Sequence, residues 1–188
     1  MNAPTLKPWW KNRLPPPGEI VPVYALVAFA LYGWTLFHFV WKVPSWLYFL
    51  GVGEVLILLA RAIFTNLLES VAFTALILGL CIFLPAKFLR NRFVLRGGAL
   101  AVALLAWIAY FDIIASLIVP PVSILIGWTA LVLVTVPMLV YLAGRFSVVE
   151  RFLLWLGDRL IVFLYLTIPL GLLSGGIIFF RFVFGGGE

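Results

Sequence analysis

Three ionisable side chains lie inside otherwise apolar stretches of the sequence: His38, Glu69 and Asp112. A charge at the centre of a lipid bilayer costs about 2.5–3.5 kcal/mol on insertion scales, so a charged residue inside a membrane span calls for an explanation. If packing brought these side chains together, they would form a polar pocket able to bind an ion or a lipid headgroup. Whether they share a pocket depends on the helices that carry them.

The composition predicts an integral membrane protein. Of the 188 residues, 65% are hydrophobic and only 11% are charged. A soluble domain of this length has about 25% charged residues. With so few charges the chain would be unable to cover a surface exposed to water, whereas a lipid-facing exterior requires none. The lipid bilayer is therefore its first predicted partner.

The net charge of +6 does not indicate a nucleic-acid partner. The basic residues form clusters beside apolar runs, with no aromatic-interleaved basic groove, and this arrangement is typical of topology signals. The single cysteine, Cys81, excludes an internal disulfide, and no paired-cysteine metal spacing is present. We predict no metal site and no cofactor.

A membrane-spanning helix needs about 20 mostly apolar residues, and five runs satisfy this requirement. They cover approximately residues 21–41, 64–85, 98–119, 122–143 and 160–182. The predicted fold is thus an all-α integral membrane protein with five transmembrane helices. Residues 1–19 form a cytoplasmic arm, residues 20–184 a single membrane domain, and residues 185–188 a flexible tail.

Two further segments have a helical pattern but do not qualify as spans. Ser45–Ala60 is short, contains Gly51 and Gly53 and carries Glu54, so it is predicted to be an interfacial or re-entrant segment on the outer side. The stretch that starts at Ser147 predicts a short amphipathic helix on the cytoplasmic surface, ending near Gly157. The alternative is that this stretch begins a longer last helix.

The positive-inside rule orients the chain. With five spans and a cytoplasmic N-terminus, ten basic residues lie inside and three lie outside. Counting Ser45–Ala60 as a sixth span would divide them five against eight. The sequence therefore predicts an N-in, C-out protein, and a bacterial inner membrane, which is a plasma membrane, is the predicted location.

In this orientation the ionisable residues of the spans lie in the outer half of the bilayer. At about 1.5 Å per residue, His38 lies roughly 5 Å, Glu69 roughly 8 Å and Asp112 roughly 10 Å below the outer boundary. With Asn66 and Arg61 they make up the candidate polar pocket. We favour the other interpretation of these residues, a structural ion-pair cluster that fixes helix packing, because shallow carboxylates can reach water or pair with an arginine.

Gly171 and Gly175 form a small-xxx-small pair in the last span, which permits close approach of another helix in this chain or in a partner. Motifs for phosphate-binding loops, zinc proteases and serine hydrolases are absent from the sequence. The favoured hypothesis is therefore a non-catalytic multi-pass membrane subunit or anchor of a larger complex, with protein partners in the membrane.

Two alternatives remain. One is a small transporter, or an ion- or lipid-handling protein, that uses an acidic pocket on the outer face. The other is a membrane enzyme acting on a lipid or lipid-linked substrate. In topology alone the chain resembles the membrane portion of lipoteichoic-acid-synthase-type enzymes, and no motif accompanies that likeness.

Overall fold

The computed structural model describes residues 14–85, 88–89, 92–117 and 122–184, and these residues form five α-helices. The helices are α1 (Pro17–Trp46), α2 (Val52–Phe83), α3 (Phe93–Leu117), α4 (Val122–Ala143) and α5 (Ser147–Phe184). Each is long and apolar enough to cross a membrane, which confirms the prediction of five apolar helices. Most of the predicted N-terminal arm (residues 1–13) and the tail (residues 185–188) lie outside the described residues.

Helix α4 has the bounds that the apolar run predicts, whereas α2 and α5 begin well before their predicted spans. Helix α2 has 32 residues and α5 has 38, which correspond to about 48 and 57 Å. Both exceed the roughly 30 Å of a bilayer hydrocarbon core. Helical hydrogen bonding thus continues through flanking residues that lie outside the predicted spans.

Ser45–Ala60 does not form an element of its own. Its first two residues complete α1, a turn follows, and its last nine residues open α2. The side chain of Glu54 accepts a hydrogen bond from the backbone N–H of Gly51 at 2.8 Å, which satisfies a free donor at the start of α2. This segment is therefore divided between α1, a turn and α2, and it is not a separate element.

The predicted surface helix after Ser147 is not separate either. Residues 147–184 form one continuous helix, which is the alternative that the sequence left open. Gly157, predicted to end the surface helix, lies inside α5 and is buried. A Cβ atom at Gly157 would lie 3.0 Å from the Cβ of Pro22. The glycine thus serves close packing of α5 against α1 rather than helix termination.

Helices that follow one another in the chain run in opposite directions. Tyr24 of α1 faces Ser70 of α2, while Tyr32 lies eight residues later in α1 and faces Ile63. Helix α5 packs against both α1 and α2. Helix α3 packs against α1 and α4. The three odd-numbered helices start at one end of the bundle, here called the α1-start end. The opposite end, where α1 leads into α2, is called the α1–α2 turn end.

Two apolar cores hold the bundle together. The larger one lies towards the α1-start end and joins residues such as Val27, Ile77 and Phe93 from α1, α2 and α3. The smaller one joins Ala28 and Tyr32 of α1 to residues of α2 and α5. Helix α4 is the least buried of the five helices. Only 6% of its most apolar stretch of 18 residues is buried.

Candidate functional site

Asn66 lies inside the bundle rather than in an open pocket. Its side chain is 3% exposed, and its Oδ1 accepts a hydrogen bond from the Thr35 hydroxyl at 2.9 Å. One turn away, the Tyr32 hydroxyl donates to the backbone carbonyl of Ile63 at 3.1 Å. These bonds link α1 to α2 within the apolar interior. Asn66 is therefore a hydrogen-bond partner between two helices.

His38 remains close to its own helix. Its Nδ1 lies 3.0 Å from the carbonyl oxygen of Trp34, and because a carbonyl oxygen can only accept, Nδ1 is the donor. The imidazole is flanked by the rings of Trp34 and Phe37, with centroid distances of 4.4 and 5.5 Å. These contacts lie within α1, and the structure gives His38 no hydrogen bond or ion pair to the other candidate pocket residues.

Glu69 and Asp112 lie on the outside of the bundle. Arg61, Thr65 and Glu69 are all exposed, as expected for residues spaced by four on one stripe of α2. Asp112 of α3 is likewise exposed. Neither carboxylate forms an ion pair or a hydrogen bond with any residue in the described part of the chain. The candidate pocket residues are therefore divided between the interior and the surface of the bundle.

A second grouping of ionisable residues occurs at the α1–α2 turn end. Glu54 and Arg61 of α2 and Arg181 of α5 line a cavity of about 170 Å³. The two arginines form no ion pair with a described residue. The sequence did not predict that Arg61 and Arg181 line the same cavity. The only signal was that both belong to the three basic residues predicted on the outer side of the membrane.

An apolar groove on α5 shares one lining residue, Arg181, with this cavity. The groove has a volume of about 830 Å³ and runs from Pro169 to Arg181, which also lines the cavity. Leu172, Leu173 and Ile177 are among its lining residues. Because Arg181 borders both the charged recess and the apolar groove, the pair of sites matches the chemistry of an amphipathic ligand.

Gly171 and Gly175 pack inside the chain. A Cβ atom at Gly171 would lie 2.9 Å from the Leu67 side chain and 3.2 Å from the Tyr32 hydroxyl. A Cβ atom at Gly175 would lie 2.6 Å from the Phe64 ring. The pair therefore packs mainly against α2, with Tyr32 of α1 also close to Gly171, and it is not available for contact with another chain.

Within the described residues, no group of three or more His, Cys, Asp or Glu side chains is placed to hold a metal ion. Comparison of the chain with protein-family models, curated proteins and solved structures finds no match.

Proposed function

We propose that the chain is a non-catalytic subunit of a membrane complex, in which a partner chain covers the carboxylates of Glu69 and Asp112. The observation that carries this proposal is that both carboxylates are exposed within predicted spans and unpaired in the described part of the chain. Intramembrane ionisable residues usually face a bundle interior or water and pair with one another or with carbonyl groups. A partner helix with basic or donor groups would remove the cost of exposing them to lipid.

The packing of α4 supports the same proposal. Among the described helices, only α3 makes substantial contacts with α4, through aromatic residues such as Trp107 and Trp128, whose ring centroids are 5.9 Å apart. The remaining surface of α4 is exposed and includes Leu133 and Val134. A helix held on one side only leaves the rest of its surface available to another chain.

We further propose an N-in, C-out orientation in a plasma membrane. Five basic residues of the described chain lie in or just before the starts of α3 and α5, at the α1-start end: Arg92, Arg96, Arg145, Arg151 and Arg159. Towards the other end lie Lys42, Arg61 and Arg181. The positive-inside rule favours the α1-start end as the cytoplasmic one.

Native mass spectrometry of the untagged protein, extracted gently from its own membrane, tests the subunit proposal. We expect a stable complex with another chain, and we expect the Glu69→Gln, Asp112→Asn double variant to lose that chain. Asp158→Asn is the matched control, since Asp158 is an exposed carboxylate near the α1-start end, before the predicted last span. A monomer that alone shows a turnover activity would refute the proposal.

The same carboxylates keep a transporter as the second candidate, because exposed acidic groups inside a span can line an ion path between copies of the chain. Transport by the protein reconstituted in liposomes, abolished in the Glu69→Gln, Asp112→Asn double variant, would favour this alternative. Full transport by the double variant would exclude it.

A further inference from the structure

The charge of the cavity at the α1–α2 turn end suits an anion. Glu54 is engaged by the backbone N–H of Gly51, and it forms no ion pair with Arg61 or Arg181. Two arginines and one glutamate give the lining a net charge of +1. Guanidinium groups bind phosphate oxygens through paired hydrogen bonds and are more weakly hydrated than ammonium groups. Two free arginines at one recess therefore match a phosphate group.

The length of the groove on α5 suits an acyl chain. Pro169 and Arg181 are 12 residues apart, which corresponds to about 18 Å along the helix. This is a little more than half of the roughly 30 Å hydrocarbon core, and hence about the depth of one leaflet. A lipid whose acyl chain lies in the groove places its phosphate at the Arg181 end, beside the charged cavity.

We propose that Arg61 and Arg181 bind the phosphate of an anionic phospholipid, whose acyl chain lies in the α5 groove. Both arginines lie close to the ends of their predicted spans, where lipid headgroups are found. The site uses neither α4 nor the carboxylates of Glu69 and Asp112. It therefore stands or fails independently of the subunit proposal.

Native mass spectrometry of the full chain with equal amounts of phosphatidylglycerol and phosphatidylcholine tests the lipid site. We expect the wild type to retain phosphatidylglycerol preferentially. The Arg61→Gln, Arg181→Gln double variant should lose this preference by about fivefold for each arginine removed. Lys42→Gln is the matched control, because Lys42 is an exposed cation near the same end that does not line the cavity.

A second variant probes the groove without changing the charge. Gly176 lines the groove, and a Cβ atom there meets nothing within 4 Å, so Gly176→Trp is expected to fold normally and to reduce the retention of phosphatidylglycerol. Excess inorganic phosphate should not displace the lipid from the wild type. Equal retention of the two lipids by the wild type would overturn the proposal. So would unchanged retention in the arginine double variant or in Gly176→Trp, or displacement of the lipid by inorganic phosphate.

Discussion

The Thr35 hydroxyl of α1 donates a hydrogen bond to Oδ1 of Asn66 in α2 at 2.9 Å. The two residues are 31 positions apart in the chain, and Asn66 is almost completely buried. If the side-chain amide of Asn66 faced hydrocarbon, it would have no hydrogen-bond partner. The bond with Thr35 therefore favours one register of α1 against α2. Asn66 thus has a structural role in the packing of α1 against α2, the helix that carries the exposed Glu69.

Thr35→Val is expected to lower the free energy of unfolding by about 0.6 kcal/mol, and by no more than about 1.7 kcal/mol, the average and the maximum for hydrogen bonds between membrane helices. The substitution keeps the shape of the side chain and removes the donor. A double-mutant cycle with Asn66→Leu, followed by unfolding in detergent, measures the coupling. Strict additivity of the two single effects would contradict a direct interaction.

Gly171→Ala is expected to destabilise the packing of α2 against α5. The new methyl group would meet the buried Leu67, and overpacking of this kind costs about 1–3 kcal/mol. Gly176→Ala is the matched control, since its Cβ atom meets nothing within 4 Å and alanine gains the same helix propensity there. The difference between the two melting temperatures in detergent isolates the steric effect, and equal melting temperatures would contradict it.

The five helices are predictable because a bilayer requires long apolar runs, and the ends of α4 coincide with the ends of its run. The ends of α2 and α5 are not predictable in this way. Backbone hydrogen bonding continues wherever the flanking residues tolerate a helix, and hydropathy does not measure that tolerance. Gly157 illustrates the difference, because its role depends on the approach of Pro22 from another helix.

Only some of the residues of the candidate site could be predicted from the sequence. Glu69 and Asp112 are identifiable as unusual because charges are rare in spans. Their positions on the bundle surface, and the burial of Asn66 against Thr35, depend on helix rotation and crossing, which no single helix encodes. The same holds for Arg61 and Arg181, which come from distant parts of the chain and meet at one cavity.

Glu69→Gln and Asp112→Asn are expected to leave the stability of the isolated protein within about 0.5 kcal/mol of the wild type. Both side chains are exposed and have no ion pair with a described residue, so neutralising them removes no contact. Thermal unfolding of the purified single variants measures this. A decrease in the free energy of unfolding of about 2 kcal/mol would instead indicate the structural ion-pair cluster that the sequence left open.

Arg92 precedes α3 with a φ of 63°, a left-handed conformation that costs about 1–2 kcal/mol for a residue with a side chain. Its guanidinium forms an ion pair with Glu150 at 3.2 Å, and an exposed pair of this kind contributes about 0.2–1 kcal/mol. Arg92→Gln should therefore destabilise slightly through loss of the pair. Arg92→Gly loses the same pair but relieves the backbone, so it should be the more stable of the two variants in unfolding experiments. If Arg92→Gly were the less stable, the added flexibility of glycine in the unfolded chain would outweigh the relief of the left-handed conformation.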